Sequence, residues 1–285
     1  MREETGAPTI DDLLREARPL LALTRAEIDP REARTLLGHV LDLSETELIT
    51  RGARRVSGAD AETFRRLIRR RRDGEPVAYL TGERGFYGRD FSVDERVLIP
   101  RPETEHLIEA ALALELPSAP RLLDFGTGSG AIAVTLACEL AGATVVATDI
   151  ELGPLRVARA NSARHGVAGR VGLVRADLDG AFDLSGFDLV VSNPPYIGTG
   201  QDISFEVADF EPHRALFAPG QGRSLIRRLL GAAKALRPGV HLLLEIGFDQ
   251  GAWLREKAGA SRELELVELV RDYGGHERTA VLRRR

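Results

Sequence analysis

The chain has 285 residues, long for one domain and comfortable for two, each large enough to bury a core. Its 43% hydrophobic and 29% charged residues are ordinary for a soluble globular protein, and a net charge of −4 advertises no nucleic-acid or anionic-membrane partner. The single cysteine, Cys138, excludes an internal disulfide framework, and no apolar run reaches bilayer length because Glu139 interrupts the best one.

The first residues, Met1-Arg2-Glu3-Glu4, run into polar sequence rather than a signal-peptide core, so a soluble, cytoplasmic chain is expected. Four helical patterns follow. Thr9 with Asp12 forms a capping box that opens a helix through about Leu23. Asp29 as N-cap, with Pro30 at the first helical position, leads a second helix to about Leu43. Ser44 with Glu47 heads a short third helix. Ser57 to Asp73 gives a fourth, with Phe64, Leu67 and Ile68 on one face and Gly74 as its stop. Residues 1–85 hold sixteen basic and sixteen acidic side chains, so this helical unit is neutral. The densest charge run, Arg65, Arg66 and Arg69–Arg72, falls in the last turns of the fourth helix, where cations suit the dipole. It reads equally as a solvated face or as a docking patch for an acidic protein surface.

Short extended stretches come next: Gly85-Phe86-Tyr87, Phe91-Ser92-Val93 and Val97-Leu98-Ile99, punctuated by Gly88 and Asp94-Glu95 as in a hairpin linker. Pro102 then opens a helix with Glu103 and Glu105 in its first turn. After the break at Pro117–Pro120, apolar strands alternate with helical stretches. The strands are Arg121–Phe125, Thr144–Thr148, Val171–Arg175, Phe187–Ser192, Val240–Ile246, Leu264–Val270 and Thr279–Leu282. The first five have helices or a long loop between them, which argues an α/β architecture with a parallel, doubly wound sheet. No helix joins the last two, so one of them is expected to run antiparallel. The division is residues 1–83 as a helical N-terminal domain, 84–101 as a β-hairpin linker and 102–285 as the α/β domain. Cys138 sits in the apolar helical stretch from Ala131 to Leu140 and reads as a small core residue.

The chemistry concentrates at strand ends. Asp124-Phe125-Gly126-Thr127-Gly128-Ser129-Gly130 closes the first strand and opens a helix, and its glycines let the backbone approach a ligand. Gly126, Gly128 and Ala131 also satisfy the dinucleotide fingerprint, so the loop alone is ambiguous. Asp149, ending the second strand, can accept both hydroxyls of a ribose in any adenosine-containing cofactor. The fourth strand discriminates, because it runs into Asn193-Pro194-Pro195-Tyr196. An amide or exocyclic amino nitrogen has a delocalised lone pair and attacks a sulfonium methyl poorly until it is aimed and polarised. The Asn193 side-chain carbonyl and the Pro194 backbone carbonyl can each accept one N–H of an NH₂ group. Pro194 and Pro195 hold those acceptors rigidly, and Tyr196 offers a flat face to a planar group.

Several segments together resemble the PrmC/HemK protein-glutamine methyltransferases. They are Gly74-Glu75-Pro76-Val77-Ala78-Tyr79-Leu80-Thr81-Gly82, Leu98-Ile99-Pro100-Arg101-Pro102-Glu103-Thr104-Glu105, Asp124–Gly130, Asn193–Tyr196, Phe210-Glu211-Pro212 and Leu244-Glu245-Ile246-Gly247. The resemblance runs from about Leu13 to the C-terminus. It implies a seven-stranded class I, Rossmann-like methyltransferase domain behind a helical N-terminal domain. It implies methyl transfer from S-adenosyl-L-methionine, leaving S-adenosyl-L-homocysteine, to N5 of the glutamine in the Gly-Gly-Gln motif of class 1 peptide-chain release factors. On this basis Phe125, Gly126, Thr127, Gly128, Ser129 and Gly130 would cradle the methionine part of the cofactor. Asp149 would hold the ribose and Asp177-Leu178 would border the adenine. Asn193 would touch both cofactor and substrate, and with Pro194, Pro195 and Tyr196 it would hold the glutamine amide. Two segments depart from the family pattern: Leu152-Gly153-Pro154 after Asp149, and Ala218-Pro219-Gly220-Gln221-Gly222-Arg223 on the acceptor-side loop.

Other chemistries find less support. The six histidines are scattered without ligand spacing, so no metal site is expected. An adenine-N6 or guanine-N2 methyltransferase acting on DNA or RNA faces the same nitrogen problem. Residues 86–285, however, carry twenty-three basic against twenty-seven acidic side chains, where a duplex binder needs a basic stripe. A non-catalytic adenosine-binding module would leave Asn193–Tyr196 without a use.

Overall fold

The computed structural model describes residues 6–23, 29, 31–178 and 183–285. The chain divides into two units, Met1–Glu83 with Ile203–Phe210, and Arg84–Asp202 with Glu211–Arg285.

In the first unit, both expected capping boxes form. Asp12 N–H donates to Thr9 Oγ1 at 3.2 Å while Thr9 N–H donates to Asp12 Oδ2 at 3.1 Å, and Ser44 and Glu47 repeat the exchange. The helices are Ile10–Leu21, Glu32–Leu41, Glu45–Thr50 and Gly58–Arg72. Pro30 lies outside the described residues. The N-cap is Arg31 rather than Asp29; the Asp29 carboxylate accepts from Arg31 N–H at 2.8 Å ahead of the helix, which begins two residues later than expected. A fifth short helix, Val77–Thr81, was not expected; Pro76 opens it and Gly82, with φ 75°, closes it. Ile10, Leu13, Leu36, Leu37, Phe64 and Ile68 form the fully buried centre of this unit. The arginine run is largely neutralised inside the unit. Arg65 forks onto Glu16 at 2.8 and 2.9 Å, Arg69 reaches Glu62 at 2.8 Å, and Arg70 and Arg72 meet Glu75 and Asp73. Arg71 is 1% exposed and clamps Glu32 at 2.7 Å and Glu206 at 3.2 Å, so it is a core cation rather than part of a docking face.

The second unit starts at Arg84, within the hairpin formed by Glu83–Phe86 and Arg89–Ser92. Its two-residue turn places Tyr87 at φ 48° and Gly88 at φ 69°, the positive angles that such tight turns need. The expected third strand, Val97–Ile99, does not form. Pro100 and Pro102 have no N–H to give a ladder, and the Ile99 N–H is taken by the Glu211 carboxylate at 3.1 Å. Pro102–Thr104 forms a 3₁₀ turn that leads into helix Glu105–Leu112.

Seven strands build the main sheet: β1 (Arg121–Phe125), β2 (Thr144–Asp149), β3 (Val171–Arg175), β4 (Leu189–Ser192), β5 (His241–Glu245), β6 (Leu264–Arg271) and β7 (Glu277–Arg284). Their order is β3-β2-β1-β4-β5-β7-β6. The first five are parallel, and β7 pairs antiparallel with both β5 and β6, so the reversed strand is the last one. Helices Ala131–Glu139 and Leu152–Arg164 follow β1 and β2, and Ser224–Ala232 and Gly251–Gly259 flank β5. Burial on both faces explains why β1 and β4 read as continuous apolar runs. No helix among the described residues is long and apolar enough to cross a membrane.

Candidate functional site

β1 and β4 lie side by side, Phe125 opposite Ser192, and the chain departs from them in opposite directions, to β2 and to β5. Open α/β sheets hold ligands beyond the carboxyl ends of their strands at such a switch point. A cavity of about 340 Å³ opens there.

The glycine loop forms one wall. Asp124 is fully buried. Its Oδ2 accepts from the Thr127 hydroxyl at 2.7 Å, its Oδ1 has no partner, and burial pushes its carboxyl up to about 7. Thr127 N–H donates to the Thr148 carbonyl at 2.8 Å, which ties the loop to β2. Gly126 and Gly128 adopt φ 73° and 54°, and a Cβ on either would project into open space. Phe125, Gly126, Thr127, Gly128 and Ser129 line the cavity, but Gly130 does not. With φ 83° and a would-be Cβ 3.0 Å from that of Ala158, Gly130 allows two helices to approach instead.

Asp149 lies in the same wall. One carboxylate oxygen accepts from Gly128 N–H at 3.2 Å and the other from Glu151 N–H at 3.0 Å. Ile150 N–H also bears on this carboxylate, so of its about four acceptor positions at least one remains for a ligand. Burial is the main cause holding this carboxyl above its ordinary range. Ile150, Pro154, Leu178 and Leu225 add apolar surface, and Asp177 closes the far end through Arg228 at 2.7 Å. Pro154, part of the departure after Asp149, is thus a lining residue.

Asn193, Pro194 and Pro195 also line the cavity, leaving β4 beside the point where the glycine loop leaves β1. Asn193 Nδ2 donates to Thr104 Oγ1 at 3.1 Å, and the Thr104 hydroxyl donates to Glu245 Oε2 at 2.6 Å. Tyr196 is not in the lining. Its hydroxyl donates to Glu245 Oε1 at 3.1 Å and its ring packs on the core beneath β4, so it braces the site rather than presenting an open face. The backbone of Tyr196 is also held. Gln250 Nε2 donates to its carbonyl at 3.0 Å, and a Cβ at Gly222 would fall 1.8 Å from that same oxygen. The second departure therefore keeps glycine at the one position where contact demands it.

The sequence motifs assign no site role to Thr104, Glu245, Gln250, Arg228 or Asn161. Asn161, fully buried, donates to the Ser129 carbonyl at 2.8 Å and exchanges two bonds with the Ser92 backbone, linking glycine loop to hairpin. Among the described residues no cluster of three or more His, Cys, Asp or Glu is arranged to hold a metal ion.

Residues 12–82 match the PrmC N-terminal domain, and residues 104–238 match the methyltransferase small domain. The hMettl16 catalytic domain, solved with the MAT2A 3′UTR hairpin 1, shares the fold with a TM-score of 0.53 at 17% identity, over 80% of this chain and 81% of that one. Fold and site together define a methyltransferase. The chain is 41% identical to the release factor glutamine methyltransferase of Nitratidesulfovibrio vulgaris, over 98% of this chain and 97% of that protein. It is 45% identical to the release factor glutamine methyltransferase of Neisseria gonorrhoeae, over 88% and 92%. The chain belongs to the release factor glutamine methyltransferase family.

Proposed function

We propose that this protein methylates N5 of the glutamine in the Gly-Gly-Gln motif of class 1 peptide-chain release factors, using S-adenosyl-L-methionine. The observation that carries the reading is that Asn193 and Pro194 line the same cavity as the glycine loop and Asp149, in a chain of this family.

The cavity residues fit the cofactor. A nucleoside needs a diol acceptor beside an apolar slot, and Asp149 lines the cavity next to Ile150, Pro154 and Leu178. A close-lying amino-acid chain needs backbone without Cβ atoms in the way, which Gly126 and Gly128 provide. Asp149 would hold the ribose, Asp177 and Leu178 would border the adenine, and residues 125–129 would cradle the methionine part. When bound, the cofactor supplies an electrophilic methyl group on a sulfonium.

This chain's own work is aiming. The Asn193 side-chain carbonyl and the Pro194 backbone carbonyl would each accept one N–H of the glutamine NH₂, turning its lone pair toward the methyl. Direct displacement needs no covalent intermediate on the protein, the methylated nitrogen sheds one N–H proton to water, and proximity and alignment supply most of the acceleration. Pro194 is buried and both prolines have fixed φ, which keeps the acceptors from wandering. Residues 1–83 would recognise the protein substrate and residues 102–285 would carry cofactor and amide chemistry, in the cytoplasm. The hairpin stretch, 84–101, belongs to the same unit as the latter. Incubation with radiolabelled cofactor tests the reading. Label should enter a release factor and disappear when its Gly-Gly-Gln glutamine is replaced; label in RNA or DNA instead would replace it with nucleic-acid methylation.

A further inference from the structure

The geometry points to Thr104 and Glu245 as positioning residues that decide which end of the Asn193 amide faces the substrate, an inference that rests on the function proposed above. An asparagine amide is nearly symmetric in shape, so only hydrogen bonds distinguish its two orientations. The distinction is decisive here. With its carbonyl outward, Asn193 can accept from a substrate NH₂; with its own NH₂ outward, donor would meet donor.

Thr104 has one hydroxyl proton. Its oxygen lies 2.6 Å from Glu245 Oε2, and an ionised carboxylate only accepts, so that proton is committed to Glu245. The Thr104 oxygen is left as an acceptor, and the group 3.1 Å away is Asn193 Nδ2. The carboxylate thus fixes the hydroxyl, the hydroxyl fixes the amide, and the Asn193 carbonyl is left for the cavity. Tyr196 donates to the other Glu245 oxygen at 3.1 Å and fixes the carboxylate in turn. Glu245 is 1% exposed and Thr104 4%, which leaves water little chance to substitute for either bond.

Glu245 also makes the relay sensitive to pH. Burial lifts its carboxyl above the usual range; Thr104, Tyr196 and Arg278 pull it back, and Glu103 pushes it further up. A protonated carboxyl can donate to Thr104, whose own proton is then free to point at Asn193 Oδ1, and the amide loses its preferred end. The arrangement holds above the raised value and fails as pH falls through it.

The test uses the full-length enzyme and two kinds of reading. By NMR, the Asn193 side-chain NH₂ protons, identified by their loss in Asn193→Ala, should exchange slowly in wild type and in Thr104→Ser but quickly in Thr104→Val. In turnover, Thr104→Val should lower kcat about tenfold, a little more than one neutral hydrogen bond, with KM and S-adenosylhomocysteine affinity unchanged. Thr104→Ser should restore it. Wild-type kcat should show an acid limb that Glu245→Gln lacks. Slow exchange of the Asn193 amide in Thr104→Val, or wild-type kcat in that variant, overturns the relay, as does an acid limb that persists in Glu245→Gln. If wild-type enzyme leaves a release factor unmethylated, the functional reading falls, while amide exchange still decides the relay.

Discussion

Asn193 is where the acceptor chemistry can be tested with one side chain. Its bond to the substrate NH₂ strengthens only as the nitrogen pyramidalises and gains positive charge, so Asn193→Ala should depress kcat and leave cofactor affinity intact. A loss on the order of 10²–10³ matches removal of one preorganised transition-state hydrogen bond. Wild-type kcat in a folded alanine variant would remove Asn193 from the mechanism. Asp149 belongs to the other half of the reaction. Asp149→Ala should weaken S-adenosylhomocysteine binding by about 1–3 kcal/mol, the worth of charge-assisted bonds to ribose hydroxyls. Its raised carboxyl adds a sign: the accepting form is the anion, so affinity should fall as pH drops through that raised value. Calorimetry at several pH values checks both, and a flat profile with unchanged affinity would take Asp149 out of the site. Asp124 titrates in the opposite sense for stability. Its carboxyl moves from 3.8 to about 7 on folding, so between those values the folded chain holds a proton the unfolded chain has released. Stability should fall as pH rises through that window, by up to about 1.4 kcal/mol per pH unit, and level off above it. Asp124→Asn should flatten this slope in denaturant titrations; an unchanged slope would assign it to other groups.

Between elements, Asn161 is the side chain to probe. Three backbone groups, Ser92 N–H, Ser92 C=O and Ser129 C=O, depend on its amide. Asn161→Ala would orphan the Ser129 carbonyl in a buried place and the two Ser92 groups in a half-buried one, costing about 1–3 kcal/mol, and should loosen the glycine loop enough to weaken cofactor binding. Retained stability and affinity together would show that the hairpin and loop are held by packing alone. Asn161 also marks a limit of reading the chain. Strands β1 to β5 were visible because each is a short apolar run bounded by polar or glycine turns, and the capping boxes were visible because their partners sit three residues apart. Val97–Ile99 misled because its apolar pattern suits a strand, while the neighbouring prolines and Glu211, far along the chain, deny it a ladder. The helix Val77–Thr81 is too short to express a period. The same holds for the site: contiguous motifs announced the glycine loop and Asn193–Tyr196, whereas Thr104 and Glu245 are 141 positions apart and meet only after the sheet is built. Tyr196 was recognised as part of its motif, but the direction of its hydroxyl, toward Glu245, was not in the sequence.

At the scale of the molecule, Arg71 offers a way to disturb the helical unit without touching the cavity. It is 1% exposed, and its guanidinium forks onto Glu32 at 2.7 and 3.0 Å and reaches Glu206 at 3.2 Å. Glu206 comes from Ile203–Phe210, which clusters with the helical unit although it lies in sequence between Tyr196 and the lining residues Pro212 and Phe217. Arg71→Met keeps much of the volume but leaves two carboxylates without their shared cation. The cost should stay below the about 3–5 kcal/mol of a fully buried pair, because Glu32 and Glu206 keep part of their surface in water. That loss should be local. Amide hydrogen exchange should rise through the helices between Ile10 and Thr81 and stay unchanged in β1 to β5. S-adenosylhomocysteine affinity should not move, since Asp149 and the glycine loop belong to the other unit. If residues 1–83 recognise the protein substrate, KM for an intact release factor should rise about tenfold or more, because each 1.4 kcal/mol lost from recognition is a factor of ten. A double variant, Arg71→Met with Glu32→Gln, removes one of the stranded charges and should recover part of both the protection and the KM. Faster exchange throughout the helices with an unchanged KM would place substrate recognition elsewhere in the chain.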